Sequence, residues 1–312
     1  MGGPIMNRDR VLIVGTGAMA CLFAARLAPV VDLIMLGTWE EGIRALQKDG
    51  VRIIEADGSE NRISVRATNQ LAECAGVVNA LVLVKSWQTV RAANQLATCL
   101  AEDGIALSLQ NGLGNLEALQ ERLGNDRATL GVTTTGATLV GPGLVRVGGM
   151  GPTHIVPNPR LEPMIKCFRQ AGFPVQESSN LESLVWGKLV INAGINPLTA
   201  ILRVANGELL ERKDAIWLMN AAAREVEAVA NAKKVSLPFS EPELEMINVA
   251  HRTATNHSSM YQDILRGAPT EIEAICGAIV AEGARFGIPT PVNETYLHIV
   301  RSMAPFQREM GE

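Results

Sequence analysis

The chain has 312 residues, 47% of them hydrophobic and 19% charged, which excludes a disordered, collagenous or low-complexity protein. At about 150 residues per domain its length predicts two domains. Twenty-eight Lys and Arg against 32 Asp and Glu leave a formal charge of -4, so no positive excess exists to hold a polyanion and nucleic acid is not an expected partner.

Residues 11–15 (VLIVG) form a short β-branched run ending in glycine, the signature of a strand buried on both faces of a parallel sheet. A helix over 18–27, a strand over 32–36, a helix over 40–48 and a strand over 51–54 continue a βαβ alternation. Strands over 77–84, 105–109 and 130–135 follow, separated by helices over 89–100 and 116–123, and the Gly- and Pro-rich stretch 141–159 predicts hairpins or turns at a sheet edge. This is the pattern of an α/β domain built on a doubly wound, mostly parallel sheet, spanning 1–180. From 181 to 312 helical periodicity takes over, with candidate helices over 181–193, 199–202, 215–232, 242–257, 270–286 and 293–303, which predicts a second, all-α domain.

Five cysteines (Cys21, Cys74, Cys99, Cys167, Cys276) are odd in number and never spaced CxxC, and the four histidines form no HxxxH or HExxH. Free thiols and no metal are therefore expected. No apolar run approaches the ~20 residues that cross a bilayer, and residues 1–9 lack the apolar core of a secretory signal, so no membrane contact and a cytoplasmic, reducing location are expected.

Gly15, Gly17 and Ala20 spell GxGxxA directly after the first strand and at a helix start. In that context the first glycine permits a tight turn, the second lets backbone approach a pyrophosphate, and the small third residue allows close helix packing; a glycine turn in some other α/β protein is the competing reading. Lys85, followed by Ser86, Trp87 and Gln88, emerges at the carboxyl end of a central strand, either as a ligand-facing cation or as a solvated strand end. Asn111 follows the next strand, where it either binds a ligand or caps the turn. Lys188, Asn192 and Asn196 are spaced four and four, so one helix face carries a Lys and two amides among apolar neighbours, which reads as a cleft lining rather than a solvated face. Ser258, Ser259, Thr270, Glu271 and Glu273 form a last polar cluster that could equally cap two helices, Thr270 with Glu273 matching a capping box.

Taken together, these segments resemble the 2-dehydropantoate 2-reductase, or ketopantoate reductase, family over about residues 11–300. The motifs that carry the resemblance are GTGAMA, VKSWQ, QNG, WGKLVINAGINPLTA, SSMYQD, TEIEAICG and GIPTPVN. The resemblance implies a Rossmann domain followed by a helical one, and NADPH-dependent reduction of 2-dehydropantoate to (R)-pantoate on the way to pantothenate and coenzyme A. It implies a cofactor site at Gly15, Thr16, Gly17, Ala18, Met19 and Ala20, with Thr38, Lys85 and Gln88 towards the 2′-phosphate and Asn111 beside the nicotinamide. It implies Lys188 as general acid, Asn192 and Asn196 at the substrate's hydroxyl end, Ser259 at its carboxylate, and Glu271 orienting Lys188 and the substrate. A lysine of ordinary pKa, ~10.4, is protonated at neutral pH and ready to donate to the alkoxide that hydride transfer creates. One departure stands out: where many relatives place an arginine after the second strand, this chain reads Leu36-Gly37-Thr38-Trp39-Glu40-Glu41. NADPH over NADH by a reduced margin is the expectation, with NAD(H) use possible. The apolar helical domain suggests a homodimer. The competing functions are a reductase of another 2-oxo acid or an imine, and a nucleotide-sensing protein without turnover.

Overall fold

The computed structural model describes residues 10–303, so residues 1–9, read above as lacking a signal core, lie outside it. The chain divides into two compact units, one comprising the chain to Gln110 with Gly114–Leu181, the other Asn111–Leu113 with the chain from Glu182 onward.

In chain order the first unit contains β1 (Val11–Val14), α1 (Ala18–Leu27), β2 (Leu33–Leu36), α2 (Glu40–Asp49), β3 (Val51–Ile54), β4 (Glu60–Ile63), β5 (Arg66–Thr68) and β6 (Val77–Val82). It continues with α3 (Thr89–Cys99), β7 (Leu100–Ser108), α4 (Asn115–Leu123), β8 (Ala128–Thr133), β9 (Gly136–Gly141), β10 (Leu144–Gly149), β11 (Thr153–Ile155), α5 (Glu162–Gln170) and β12 (Val175–Glu177). The large sheet runs β12-β11-β8-β7-β6-β1-β2-β5. Its six strands from β8 to β5 are parallel, while β11 pairs antiparallel with β8 and β12 runs parallel to β11 at the edge. Strand order therefore changes direction between β1 and β6, the switch point at which doubly wound sheets bind ligands beyond their carboxyl ends.

The strand over 51–54 does not join that sheet, contrary to the simple βαβ continuation. It pairs in a second, four-stranded sheet ordered β4-β3-β10-β9, and the short β5 takes the place beside β2. The burial patterns explain the choice: β1 and β2 are buried at every residue, whereas β3 alternates buried and half-buried and so needs cover on one face only. Helix α1 is enclosed along almost its whole length, because one of its sides meets Ile13, Met35 and Leu81 of the large sheet while Ile53 and Val145 of the small sheet join the same core. On the opposite face of the large sheet, Leu12, Val14 and Ile34 pack with Ala92, Ala93 and Leu96 of α3 and Leu119 of α4. Helix α5, which the periodicity reading passed over, inserts Phe168 against Phe23 of α1, with ring centroids 5.5 Å apart.

The second unit contains α6 (Leu181–Leu202), α7 (Lys213–Ala232), α8 (Pro242–Arg252), α9 (Ser259–Leu265), α10 (Ala278–Phe286) entered through a wide π turn Glu273–Gly277, and α11 (Pro291–Met303). Three expectations are corrected here. The segments 181–193 and 199–202 are one 22-residue helix that runs through Pro197. An internal proline costs about 3 kcal/mol, and burial of Ile195, Leu198 and Ala200 around it outweighs that cost at ~1.5–3 kcal/mol per large aliphatic side chain. Once continuous, α6 is long and apolar enough to cross a bilayer by length and composition, which the split reading missed; two thirds of its apolar window (67%) is instead buried within the protein. Second, α8 ends at Arg252 rather than 257, because the carbonyls of Ala254 and Asn256 accept the Gly207 and Asn206 N–H groups at 3.0 Å and are lost to the helix. Third, the capping box at Thr270 is not formed: Thr270 Oγ1 is 3.4 Å from the Ile272 N–H, and Glu273 turns to Arg301, whose Nε and Nη2 donate to it at 2.6 Å. All five cysteines are free, and four are buried.

Candidate functional site

In the first unit, Gly15 leaves β1 with φ +132°, and its N–H donates to the Leu36 carbonyl of β2 at 2.8 Å. A Cβ there would lie 3.2 Å from the Leu83 carbonyl at the exit of β6, so this glycine is required by both conformation and space. Gly17 caps α1 without any side-chain hydrogen bond, and a Cβ built on it meets nothing within 4 Å. The first turn of α1 thus presents its N–H groups to an open cradle, the arrangement that receives a pyrophosphate. Thr16 and Ala20 are buried, Ala20 completely, while Ala18 and Met19 are half-buried; Gly37 is bare because a Cβ would fall 2.5 Å from Thr16 Cγ2. These residues fit a dinucleotide.

The exits of the neighbouring strands flank this loop. Thr38 is exposed beyond β2, and Lys85 and Gln88 are half-buried beyond β6. Glu40 and Glu41 occupy the first turn of α2, where the helix dipole favours acids, and Glu40 pairs with exposed Arg44 at 3.8 Å. The exits of β6 and β7 are laced by Gln110, the first residue of the QNG motif, together with Thr89 and Asn115, which the sequence does not mark out. Gln110 Nε2 donates to the Val84 carbonyl at 2.9 Å and to Thr89 Oγ1 at 2.8 Å, and Thr89 Oγ1 donates to Asn115 Oδ1 at 2.7 Å. Thr89 and Asn115 are buried, a helix-start Thr and Asn whose pairing depends on a partner 26 residues away and so has no local signal.

In the second unit, Lys188, Asn192 and Asn196 share one face of α6. Trp186, Leu189, Val190 and Ala193 fill the other faces and are buried to within 2% exposure. Gly187 allows the close approach of Pro238 and Phe239 to the helix. Lys188 and Asn192 are half-buried and Asn196 is buried. Burial lowers the Lys188 pKa from its ordinary value to about 8, and the nearby Glu271 carboxylate opposes that shift. This corrects the expectation of an ordinary lysine: the ammonium is enclosed, and enclosure penalises its charge.

Glu271 is 4% exposed, far more buried than a carboxylate on a solvated helix start. Asn111 Nδ2 donates to its Oε2 at 3.3 Å. Asn111 is brought there by the turn that follows it: the Leu113 N–H donates to the Ala274 carbonyl of the π turn at 2.8 Å, and Gly112 has φ +81° with a Cβ position 2.7 Å from the Ala274 carbonyl carbon. A side chain at 112 would lift Asn111 away. Ser259, half-buried, opens α9 behind its cap Ser258. The helical unit therefore gathers Lys188, Glu271 and Asn111 around one buried carboxylate, with the two amides of α6 continuing from Lys188 along the same helix face.

Comparison with known proteins agrees over nearly the whole chain. Residues 11–160 match the family described as ketopantoate reductase PanE/ApbA, and residues 180–304 match its C-terminal domain. The 2-dehydropantoate 2-reductase of Archaeoglobus fulgidus is 37% identical over 306 residues, covering 96% of this chain and 99% of its own. The crystal structure of a PanE/ApbA family ketopantoate reductase from Ralstonia eutropha superposes with a TM-score of 0.88 at 30% identity, covering 95% of this chain and 98% of that one. D-mandelate dehydrogenase, solved with NADH and anilino(oxo)acetate, reaches the same TM-score at 22% identity, covering 95% and 98%, and shares the fold.

Proposed function

This chain belongs to the ketopantoate reductase family, and on that premise we propose that it reduces 2-dehydropantoate to (R)-pantoate with NADPH, a step of pantothenate and coenzyme A synthesis. The observation that carries the reading is the buried carboxylate of Glu271, which accepts from Asn111 and acts electrostatically on Lys188. A reductase of a ketone needs a proton donor at the oxygen, and this chain holds one in an enclosed, charge-balanced setting.

A reduced nicotinamide cofactor, held at the Gly15 to Ala20 loop, would supply a hydride to the C2 carbonyl carbon. As that carbon becomes tetrahedral, its oxygen takes up the displaced electron pair, and Lys188 Nζ gives the alkoxide a proton, leaving a neutral amine that water reprotonates. Its charge also stabilises the oxygen before the proton moves. At about 8 the Lys188 pKa lies near neutral pH, which suits an acid that must be protonated beforehand and able to release its proton. Glu271 keeps that ammonium charged and orients it, Asn192 and Asn196 take the substrate's hydroxyl end, and Ser259 takes its carboxylate. The Gly15 to Ala20 loop of the first unit would hold the cofactor's pyrophosphate, and Asn111, which belongs to the second unit, is the residue proposed for the nicotinamide.

NADPH is the proposed donor over NADH. Glu40, the acid nearest Thr38 in sequence, pairs with Arg44, and Met35, Leu36, Gly37 and Thr38 at the exit of β2 include no acid for the ribose 2′-hydroxyl of NADH. Lys85, Gln88 and Thr38 supply one charge and two hydrogen-bonding groups to a 2′-phosphate, without the arginine many relatives carry. A homodimer is the proposed assembly, supported by Trp217 and Leu244 of the helical unit, which are 61% and 49% exposed. Loss of absorbance at 340 nm with NADPH and ketopantoate tests the function. Turnover of other 2-oxo acids or imines but not ketopantoate would reassign the substrate, and no turnover with tight nucleotide binding would favour a sensor.

A further inference from the structure

Pro197 has no N–H, so the Ala193 carbonyl lacks its usual partner and α6 loses one rung of its ladder next to Asn196. Two residues on, Thr199 is fully buried with its Oγ1 2.9 Å from the Ile195 carbonyl, 3.0 Å from the Asn196 carbonyl and 2.7 Å from Ser258 Oγ. Ser258, 6% exposed and 59 residues away in sequence, accepts the Tyr261 N–H at 3.1 Å as the cap of α9 and lies 3.4 Å from the Asn196 carbonyl. Each hydroxyl has one proton to give. Thr199 O–H donates within a cluster formed by the carbonyls of Ile195 and Asn196 and Ser258 Oγ, and Ser258, which accepts the Tyr261 N–H, gives its own proton to the Asn196 carbonyl, so the two hydroxyls form one chain. Hydrogen bonds aligned in one direction polarise and strengthen one another, and burial makes any break in them costly.

The two ends of this chain are the backbone of Asn196 and the first turn of α9, whose first residue is Ser259. We propose that Thr199 and Ser258 are positioning residues that hold Asn196 and Ser259 in register for the 2-oxo acid, an inference that rests on the function proposed above. The hydroxyl pair does not touch substrate. It joins the proline-weakened turn of α6 to the start of α9, so the two ligands are tied by a polar link in addition to the apolar core that both helices share.

Thr199→Val keeps the side chain's shape and removes the hydroxyl. The expected result is a KM for ketopantoate raised ~10-fold, kcat changed by less than ~3-fold, and an unchanged Kd for NADPH measured by fluorescence, with Thr199→Ser restoring the wild-type KM. Should the valine variant not fold, Ser258→Ala carries the same expectation. An unchanged KM would overturn the proposal. So would kcat, KM and the NADPH Kd worsening together, or a serine variant as impaired as the valine one, because a merely structural contact behaves that way. Wild-type protein that binds NADPH but does not turn over ketopantoate would instead overturn the proposed function, and this inference with it.

Discussion

Replacing Glu271 by Gln keeps the shape of the side chain and its acceptor for Asn111, and removes one charge beside Lys188. In the wild type burial lowers the lysine to about 8 against the upward pull of that carboxylate. At pH 7 about nine-tenths of the molecules then carry the proton, and each pH unit above about 8 removes close to tenfold of the active form, so kcat/KM falls along an alkaline limb with its midpoint near 8. A neighbouring opposite charge typically shifts a pKa by ~1–3 units. Without it the Lys188 pKa drops further, to roughly 5–7, and the protonated fraction at pH 7 falls to between about a half and a hundredth. The sign is unambiguous, since removing an anion disfavours the cation and moves the limb to lower pH. The assay is kcat/KM for ketopantoate from pH 5 to 10, followed at 340 nm. An alkaline midpoint in Glu271→Gln equal to or above that of the wild type would refute the pairing of these two residues.

Lys188→Ala should lower kcat by ~10² to 10⁴-fold with the NADPH Kd unchanged, and a fall of less than tenfold would remove Lys188 as the acid. Gly17→Ala should leave the thermal midpoint nearly unaltered, because its Cβ meets no protein atom, while weakening NADPH at least ~10-fold by titration. Gly15→Ala should instead cost ~1–3 kcal/mol in denaturant unfolding, because φ is +132° and the Leu83 carbonyl stands 3.2 Å from the new methyl. Thr38→Arg should widen the ratio of kcat/KM for NADPH over NADH, since a charge-assisted bond contributes ~1.5–3 kcal/mol; a parent enzyme that prefers NADH would contradict the cofactor assignment.

The features legible in the residues alone were those encoded by local period and composition. The β-branched run of β1 marked a strand buried on both faces, the apolar run 77–84 marked β6 as another strand, GTGAMA after β1 marked the phosphate turn, and four-residue spacing placed Lys188, Asn192 and Asn196 on one helix face. Each of these depends on neighbours within a turn or a pleat, so the chain states it directly. The partners of those residues were decided by tertiary structure. β3 went to the second sheet because one-sided burial needs a different cover, and β5, three residues long, became the neighbour of β2 although no three-residue run announces a strand. Pro197 would end a helix judged by its own propensity, yet α6 continues because burial on its flanks exceeds the cost of the missing bond. Lys188 looked like an ordinary lysine until enclosure lowered it to about 8, and a pKa is set by what surrounds a group in space. Glu271 meets Asn111 across 160 residues, and Thr199 meets Ser258 across 59, through hydrogen bonds that exist only once the backbone has been folded to bring them within reach.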